Sequence, residues 1–325
     1  MSRQTSGRWL LRFLTIGLLA GMSACGLPQL ERDEPAVRQI TLIAPVHADE
    51  LGDAMRLGAE AAAKEFGAEL SYAPFKPEEG SAAQLKAAVE ALKGGTDALL
   101  IDPADSRVLD SAALQAADHG VPVFILNDNR SADGVQASIS VDNEEAGRKA
   151  GLAMAELLGE KGTVVVLGRQ SDDPDLVARE LGIVNALNEQ PHVSGLIRTS
   201  CGEGLGSCRS VARQLLREGQ AEGIIALDAQ ASLAAAAEAE AADRAGRMKI
   251  VTFGNELKQL ELLQDGLIHT LIVQNGFSIG YLGVKQAVLH LAGEDIERST
   301  RLDTKVINAG NMFWMDNQKL LFPFG

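Results

Sequence analysis

Residues 98–106 read ALLIDPADS, in which four consecutive apolar residues are followed at once by polar and turn-forming residues. An uninterrupted apolar run of this length is typical of a strand that is buried on both faces of a parallel sheet. The same kind of run recurs at residues 40–43, 123–126, 164–167, 224–227 and 250–253. Amphipathic helical stretches separate the runs, and strands that alternate with helices predict an α/β fold with doubly wound parallel sheets.

Polar side chains follow the predicted strands, where the chain leaves the sheet. They are His47, Asp49, Glu50, Asp102, Asn127, Asp128, Arg169, Asp228 and Asn255. Open parallel sheets bind ligands at the carboxyl ends of their strands, so this recurrence predicts a ligand-binding cleft. Each of these residues taken alone is equally suited to a turn or a helix cap. Asp173-Pro174, for example, is predicted to be an N-cap followed by proline in the first helical turn.

The N-terminal segment, residues 1–24, is predicted to be a lipoprotein signal peptide. Three arginines precede an apolar stretch that is too short to span a bilayer, as in bacterial export signals. Ser23 and Ala24 stand directly before Cys25, as in a lipobox, in which the cysteine takes a diacylglycerol. We therefore expect residues 25–38 to be a tether and the protein to be extracytoplasmic, anchored to the bacterial membrane through lipidated Cys25. An ordinary signal peptide with an incidental cysteine is the alternative.

Composition restricts the classes of function. The chain of 325 residues has a formal net charge of -14, which argues against nucleic acid because its phosphates need stripes of Lys and Arg. Aromatic residues make up 4% of the chain, which limits the stacking surfaces that a ligand could meet. The histidines show no metal-ligand spacing, so neither a metal nor a cofactor is expected. Cys201 and Cys208 are close together in an exported chain and are a possible disulfide, with two thiols as the alternative.

Five short motifs occur in a recognisable order along the chain. They are Ile101-Asp102-Pro103-Ala104-Asp105-Ser106, Val121-Pro122-Val123 before a strand that ends at Asn127, Val141-Asp142-Asn143 with Gly147, Arg179 with Gly182, and Asp265-Gly266 before a strand that ends at Gln274. Their order and spacing resemble the ribose/galactose type of periplasmic sugar-binding protein, which shares its two-lobed core with lac-repressor-like regulators. The resemblance extends from Ile40 to Ile307 and includes an Arg-x-x-Gly helix start at Arg179.

The resemblance implies two similar doubly wound lobes joined by a three-stranded hinge. The N-terminal lobe would comprise residues 39–141 and 275–303, and the C-terminal lobe residues 142–274 and 304–325. It also implies a monomer that captures a small polar ligand by hinge closure and delivers it to an ABC permease. A ligand-sensing protein that presents its bound state to a membrane sensor kinase or chemoreceptor is the alternative.

The resemblance also places ligand-binding positions at Asp49, Leu51, Asn127, Asp128, Arg179, Asp228, Asn255 and Gln274. Aromatic residues that sandwich a pyranose in the family are replaced here by Leu51-Gly52 and, near the second position, by Cys201-Gly202. We therefore expect a small neutral or cationic polar ligand, with a sugar or polyol favoured. The alternative role of Arg179 is an ion pair with Asp128 or Asp228 that closes the lobes.

Two other classes of protein are disfavoured. An enzyme would depend on His47, Asp128 and Arg179 as its acid-base set, and no Gly-x-Ser-x-Gly elbow or phosphate loop accompanies them in the sequence. A DNA-binding regulator would need a helix-turn-helix before the first strand, where the export signal lies. The sequence therefore predicts a binding protein that is not an enzyme.

Overall fold

The structure is a computed structural model that describes residues 37–46, 50–76, 79–130, 132–159, 162–170, 173–202, 204–219 and 221–322. The predicted signal peptide, Cys25, His47 and Asp49 lie outside these residues. The strands are, in chain order, β1 Arg38–Pro45, β2 Ala68–Phe75, β3 Ala98–Ile101, β4 Val123–Leu126, β5 Val135–Val141, β6 Gly162–Arg169, β7 Val193–Cys201, β8 Gly223–Ala226, β9 Lys249–Phe253, β10 Thr270–Val273, β11 Ser299–Leu302 and β12 Lys305–Ile307.

The helices cover the faces of the sheets. They are α1 Glu50–Phe66, α2 Gly80–Lys93, α3 Ser106–Asp118, α4 Asn143–Leu158, α5 Pro174–Asn188, α6 Leu205–Glu218, α7 Ala229–Ala241, α8 Leu257–Gln264, α9 Gly276–Leu291 and α10 Met315–Leu321. Asp173 is the N-cap of α5 and Pro174 is its first residue, so the predicted helix start is confirmed. In the part of the chain that the structure describes, none of the helices combines the length and the apolarity that crossing a membrane requires.

The strands form two six-stranded sheets with corresponding strand orders. The first sheet has the order β11-β5-β4-β3-β1-β2 and the second has the order β12-β10-β9-β8-β6-β7. All neighbouring strands pair in parallel except β12, which runs antiparallel to β10 at the edge of the second sheet. The predicted fold of two similar doubly wound α/β lobes is therefore confirmed, with one antiparallel edge strand that the sequence patterns did not indicate.

The central strands carry the apolar core of each lobe. Ala98, Leu99, Leu100 and Ile101 of β3 are all 1% exposed or less, because helices cover the sheet on both faces. The edge strands β2 and β7 instead alternate buried or half-buried residues with exposed ones. They lack the continuous apolar run that identified the central strands.

The chain passes between the two sheets three times. It leaves the first sheet after Val141, and the helix that follows, α4, packs on β8, β9 and β10 of the second sheet. It returns after Val273, and the helix that follows, α9, packs on β4 and β5 of the first sheet. The third passage is the short link from Leu302 to Lys305. Lys149 of α4 anchors this link by ion-pairing with Asp303 and donating a hydrogen bond to the Thr304 carbonyl at 2.8 Å. We call the half built on the first sheet the N-lobe and the half built on the second sheet the C-lobe.

Helices pack unusually closely where glycine removes the side chain. Gly147 of α4 lies against the backbone of Arg179 in α5, and Gly182 of α5 lies against the backbone of Glu144. In the N-lobe, Gly280 of α9 lies equally close to the backbone of Met55 in α1. A Cβ at any of these positions would overlap a carbonyl oxygen of the neighbouring helix. The pair α4 and α5 therefore fixes the position of Arg179.

Candidate ligand-binding cleft

A cavity of about 250 Å³ lies between the lobes, at the carboxyl ends of the parallel strands. Both lobes contribute side chains to it. The N-lobe supplies Glu50, Leu51 and Asn127, while most of the remaining lining comes from the C-lobe, namely Arg169, Asp173, Asp175, Leu176, Arg179, Asp228, Ala229, Phe253, Gly254, Asn255, Glu256 and Gln259. Gln274, at the second passage between the sheets, also lines the cavity.

Asn127 projects from a tight turn at the end of β4. Its φ is 58°, in the left-handed region that asparagine tolerates better than most residues. Its backbone N–H donates to the Ile139 carbonyl at 2.8 Å, which continues the pairing of β4 with β5 for one more residue. The turn therefore places Asn127 at the carboxyl end of β4, where it lines the cavity.

Arg179 lies in the second turn of α5, so the expectation that it marks the start of this helix is wrong. Its Nε donates to the Asn143 Oδ1 at 2.8 Å, and its Nη1 lies 3.5 Å from the Leu227 carbonyl oxygen. The guanidinium carbon is 4.8 Å from the centroid of the Phe253 ring, a cation-π geometry. The side chain of Arg179 therefore packs against Asn143 and Phe253 of the C-lobe, and Arg179 borders the cavity.

Asp228 combines a structural position with a place in the cleft. It caps α7, accepting a hydrogen bond from the Ala231 N–H at 3.0 Å. Its other oxygen lies 3.2 Å from the backbone nitrogen of Arg169 and 3.4 Å from the Arg169 Nε. Asp228 therefore caps α7 and also lines the cavity.

Asp128 lies beside the cavity and not among its lining residues. Its carboxylate accepts from the Arg130 backbone N–H at 2.7 Å and from the Arg130 Nε at 2.6 Å. This pair raises the pKa of the Arg130 guanidinium, chiefly through the hydrogen bond to Asp128. Asp128 thus forms an ion pair with Arg130, and Asp228 forms one with Arg169.

Gly254 and Asn255 follow β9 and bring the backbone close to a buried amide. Gly254 has a φ of 100°, and a Cβ there would lie 2.9 Å from the Gln259 Oε1. Gln259 is fully buried and its Nε2 donates to the Ser232 Oγ and to the Phe253 carbonyl, each at 3.0 Å. Glycine at this turn therefore lets the amide support the strand end beneath the cavity.

Asp175 is a cleft residue that the sequence analysis missed. Burial raises its pKa to about 6, and the neighbouring carboxylates of Asp173 and Asp128 act in the same direction. Arg179 and a hydrogen bond with Asn143 act in the opposite direction. Asp175 precedes Arg179 by one helical turn, and this spacing of four residues is the signal that could have placed both side chains at the cleft.

The two lobes are also joined by a direct hydrogen bond. Glu50, the first residue of α1, accepts from the backbone N–H of Leu257, the first residue of α8, at 3.1 Å. The first N–H groups of a helix have no partner within that helix. A side chain of the N-lobe therefore caps a helix of the C-lobe beside the cavity.

The structure gathers most of the predicted ligand-binding residues in one place. Leu51, Asn127, Arg179, Asp228, Asn255 and Gln274 line the cavity, Asp128 lies beside it, and Asp49 is outside the described residues. The sequence analysis placed Glu50 only among the polar residues that follow the strands, and it did not assign Asp173, Asp175, Phe253 or Glu256 to the site. These residues lie at the starts of α1, α5 and α8 and at the end of β9. The tertiary structure brings these ends together at the cavity.

Cys201 and Cys208 form a disulfide with a Cα–Cα distance of 4.8 Å. It joins the end of β7 to the first turn of α6, and both residues are buried. Neither lines the cavity, so the disulfide does not occupy the place of a stacking aromatic ring. It closes the turn that contains Gly204, the N-cap of α6.

A family model for a periplasmic binding protein domain matches residues 40–295. The D-ribose/D-allose-binding protein of Pseudomonas aeruginosa is 26% identical over 309 residues, covering 91% of this chain and 95% of the relative. The D-apiose import binding protein of Actinobacillus succinogenes is 26% identical over 280 residues, covering 84% and 88%.

A solved structure has the same architecture. It is an ABC transporter solute-binding protein of Agrobacterium vitis with bound α-D-tagatopyranose, which matches with a TM-score of 0.77 at 26% identity and covers 87% of this chain and 99% of that one. Since the family model spans most of the chain and the two lobes share the fold of this neighbour, the chain belongs to the periplasmic binding protein family.

Proposed function

We propose that this chain is an extracytoplasmic solute-binding protein that captures one small sugar or polyol between its lobes and delivers it to an ABC transporter. The observation that carries the proposal is the cavity at the carboxyl ends of both sheets, which both lobes line with hydrogen-bonding side chains. A ligand that contacts both lobes favours the closed arrangement by its difference in affinity for the closed and open states.

The polar lining supports a hydroxyl-rich ligand. Carboxylates accept hydrogen bonds from hydroxyl groups, and the guanidinium and amide groups of Arg179, Asn255 and Gln274 donate them. The names of two relatives, a D-ribose/D-allose-binding protein and a D-apiose import binding protein, support a monosaccharide. The proposed site comprises the lining residues named above together with Asp49, which follows β1 in the sequence.

The N-terminal sequence supports attachment to a membrane through Cys25. Replacement of Cys25 by serine would remove the thiol that accepts the diacylglycerol. Intact-mass spectrometry of the processed wild-type protein should therefore show a lipid-bearing N-terminal cysteine, and the Cys25→Ser variant should lack this mass. An unlipidated wild-type protein cleaved elsewhere would contradict the anchor and would leave the binding function standing.

A thermal-unfolding screen of the purified protein against neutral sugars, amino sugars, imino sugars and polyols tests the binding function. A ligand at 100 times its Kd should raise the free energy of unfolding by about 2.7 kcal/mol. We expect one or a few related carbohydrates to raise Tm and to be recovered unchanged by chromatography. Silence of a well-folded sample towards every carbohydrate would contradict the proposal, and turnover of the ligand would identify an enzyme.

Transport is tested in cells. Deletion of the gene should abolish uptake of the radiolabelled ligand identified in the screen, and the plasmid-borne wild-type gene should restore it. Unchanged uptake combined with loss of a ligand-induced response would favour a membrane sensor as the partner instead of an ABC permease.

A further inference from the structure

The cleft has an excess of negative charge for a site that takes a neutral sugar. Its described lining includes five carboxyl side chains, Glu50, Asp173, Asp175, Asp228 and Glu256. The same lining includes two guanidinium groups, Arg169 and Arg179. Glu50, Asp173 and Asp228 each accept a hydrogen bond from a backbone N–H group, and Asp228 pairs with Arg169. Closing the lobes on an uncharged ligand would still remove water from a lining with more carboxylates than guanidinium groups, which is energetically costly.

Both arginines are already engaged by the protein. Arg169 lies 3.4 Å from the Asp228 carboxylate, and Arg179 is bound to Asn143 and lies over Phe253. Because the guanidinium of Arg179 contacts this ring, that face of Phe253 is not available for stacking with a sugar. Polar and charged contacts must therefore supply much of the binding energy at this side of the cleft.

The negative charge is concentrated around Asp175. The groups that face it are Asp173 and Arg179 of its own helix segment, Asn143 at the start of α4, and the pair Asp128 and Arg130 after β4. Despite the two nearby arginines, burial, and after it the charges of Asp173 and Asp128, raise the pKa of Asp175. An ammonium group of a ligand would stabilise the charged carboxylate and relieve the repulsion from Asp173 and Asp128.

We propose that the cleft selects a monosaccharide-sized ligand that carries a protonated amine, and that Asp175 is the specificity-determining residue that pairs with the ammonium group. This inference rests on the proposed function and narrows its ligand class to amino sugars and imino sugars. Asp228 and Gln274 then remain to bind the hydroxyl groups of the ligand.

Matched pairs of charged and neutral probes test the inference by isothermal titration calorimetry of the whole protein. Suitable probes are D-glucosamine, D-galactosamine, 1-deoxynojirimycin and 1,4-dideoxy-1,4-imino-D-ribitol, each compared with D-glucose, D-galactose or D-ribose. The N-acetyl derivatives of the two hexosamines keep the nitrogen and remove its charge. We expect at least one cationic probe to bind about tenfold or more tightly than its neutral counterparts at pH 7.5.

The Asp175→Asn variant should lose this preference, and the wild-type protein should lose most of it at pH 4.5, where Asp175 is protonated while the amines keep their positive charge. The Asp110→Asn variant, at an exposed position on α3, is the matched control and should behave as the wild type. Binding of neutral sugars alone, or a cationic preference that survives Asp175→Asn, overturns the inference and leaves the proposed function standing. Silence towards both charged and neutral carbohydrates overturns the proposed function and this inference with it.

Discussion

Asp175 makes the stability of the ligand-free protein depend on pH. Its folded-state pKa of about 6 lies above the unfolded value of about 3.9, so the folded protein retains a proton that the unfolded chain has lost. The contribution of Asp175 is therefore lost as pH rises from about 4 to about 6, by at most about 3 kcal/mol. Urea unfolding of the wild type and of Asp175→Asn at pH 4 and pH 7 measures this contribution.

The comparison with Asp175→Asn separates the effect of Asp175 from that of carboxylates whose pKa is lowered in the folded protein. Their contribution to stability changes with pH in the opposite direction. Arg213 and Arg209 hold the pKa of Glu238 at about 2, so its contribution is lost only as pH falls below the usual range of a glutamate. We expect the difference in unfolding free energy between variant and wild type to grow in favour of the variant from pH 4 to pH 7. A constant difference across this range would contradict the raised pKa.

At the scale of single residues, the sequence indicates a place at the cavity for a side chain that directly follows a buried strand. Asn127, Asp228 and Asn255 could be predicted because parallel strands end at one edge of a sheet. Asp175 could not be found in this way, because it lies inside the first turn of a helix. Phe253 was assigned correctly to a strand, but its contact with Arg179 depends on how α4, which packs on β9, positions α5.

At the scale of elements, the contact between α4 and α5 should be sensitive to a single methyl group. Gly147→Ala would place its Cβ against the carbonyl oxygen of Arg179, and the helices would have to separate. Overpacking of this kind typically costs about 1–3 kcal/mol. We expect Gly147→Ala to lower Tm and to weaken ligand binding, because the shift moves Arg179.

Gly206→Ala is the control for this prediction. Gly206 lies in the first turn of α6, and a Cβ there meets open space. Since alanine is favoured over glycine within a helix by about 0.5–1 kcal/mol, this variant should be neutral or slightly stabilising. Equal effects of the two substitutions on Tm would contradict the close approach of α4 and α5.

The disulfide between Cys201 and Cys208 should stabilise the junction of β7 and α6. The chain-entropy model assigns about 2.5 kcal/mol to a loop of this length. Replacing both cysteines by alanine should lower the free energy of unfolding by a comparable amount and leave carbohydrate binding unchanged, because neither residue lines the cavity. Loss of binding in a folded double variant would show that this turn takes part in the site.

The elements themselves could be predicted from sequence to different extents. The central strands were identified because burial on both faces requires continuous apolar runs, as in β3 and β4. The edge strands β2 and β7 alternate between exposed and covered residues, and the antiparallel pairing of β12 is set by the hinge connection. The formation and pairing of these strands therefore depend on their position in the tertiary structure, and the local sequence does not predict them.

At the scale of the whole molecule, Glu50 should favour closed lobes even without ligand. Its hydrogen bond to the Leu257 N–H crosses the cleft at an exposed position, so we expect it to contribute about 1 kcal/mol, or roughly fivefold in the closed-to-open ratio. Small-angle X-ray scattering of the ligand-free Glu50→Ala variant should give a larger radius of gyration than the wild type. Glu294→Ala, at an exposed N-lobe position, should leave the radius of gyration unchanged. Identical scattering curves for all three proteins would contradict the role of the Glu50 hydrogen bond in closing the lobes.

The central claim is that one ligand binds between the lobes and contacts the guanidinium of Arg179. Isothermal titration of the carbohydrate found in the screen into the wild type, Arg179→Gln and Arg217→Gln tests it most directly, since Arg217 is exposed at the end of α6. We predict one site per chain for the wild type and for Arg217→Gln, and at least about tenfold weaker binding for a folded Arg179→Gln, because a charged hydrogen bond is lost. Undiminished binding by Arg179→Gln would contradict the claim.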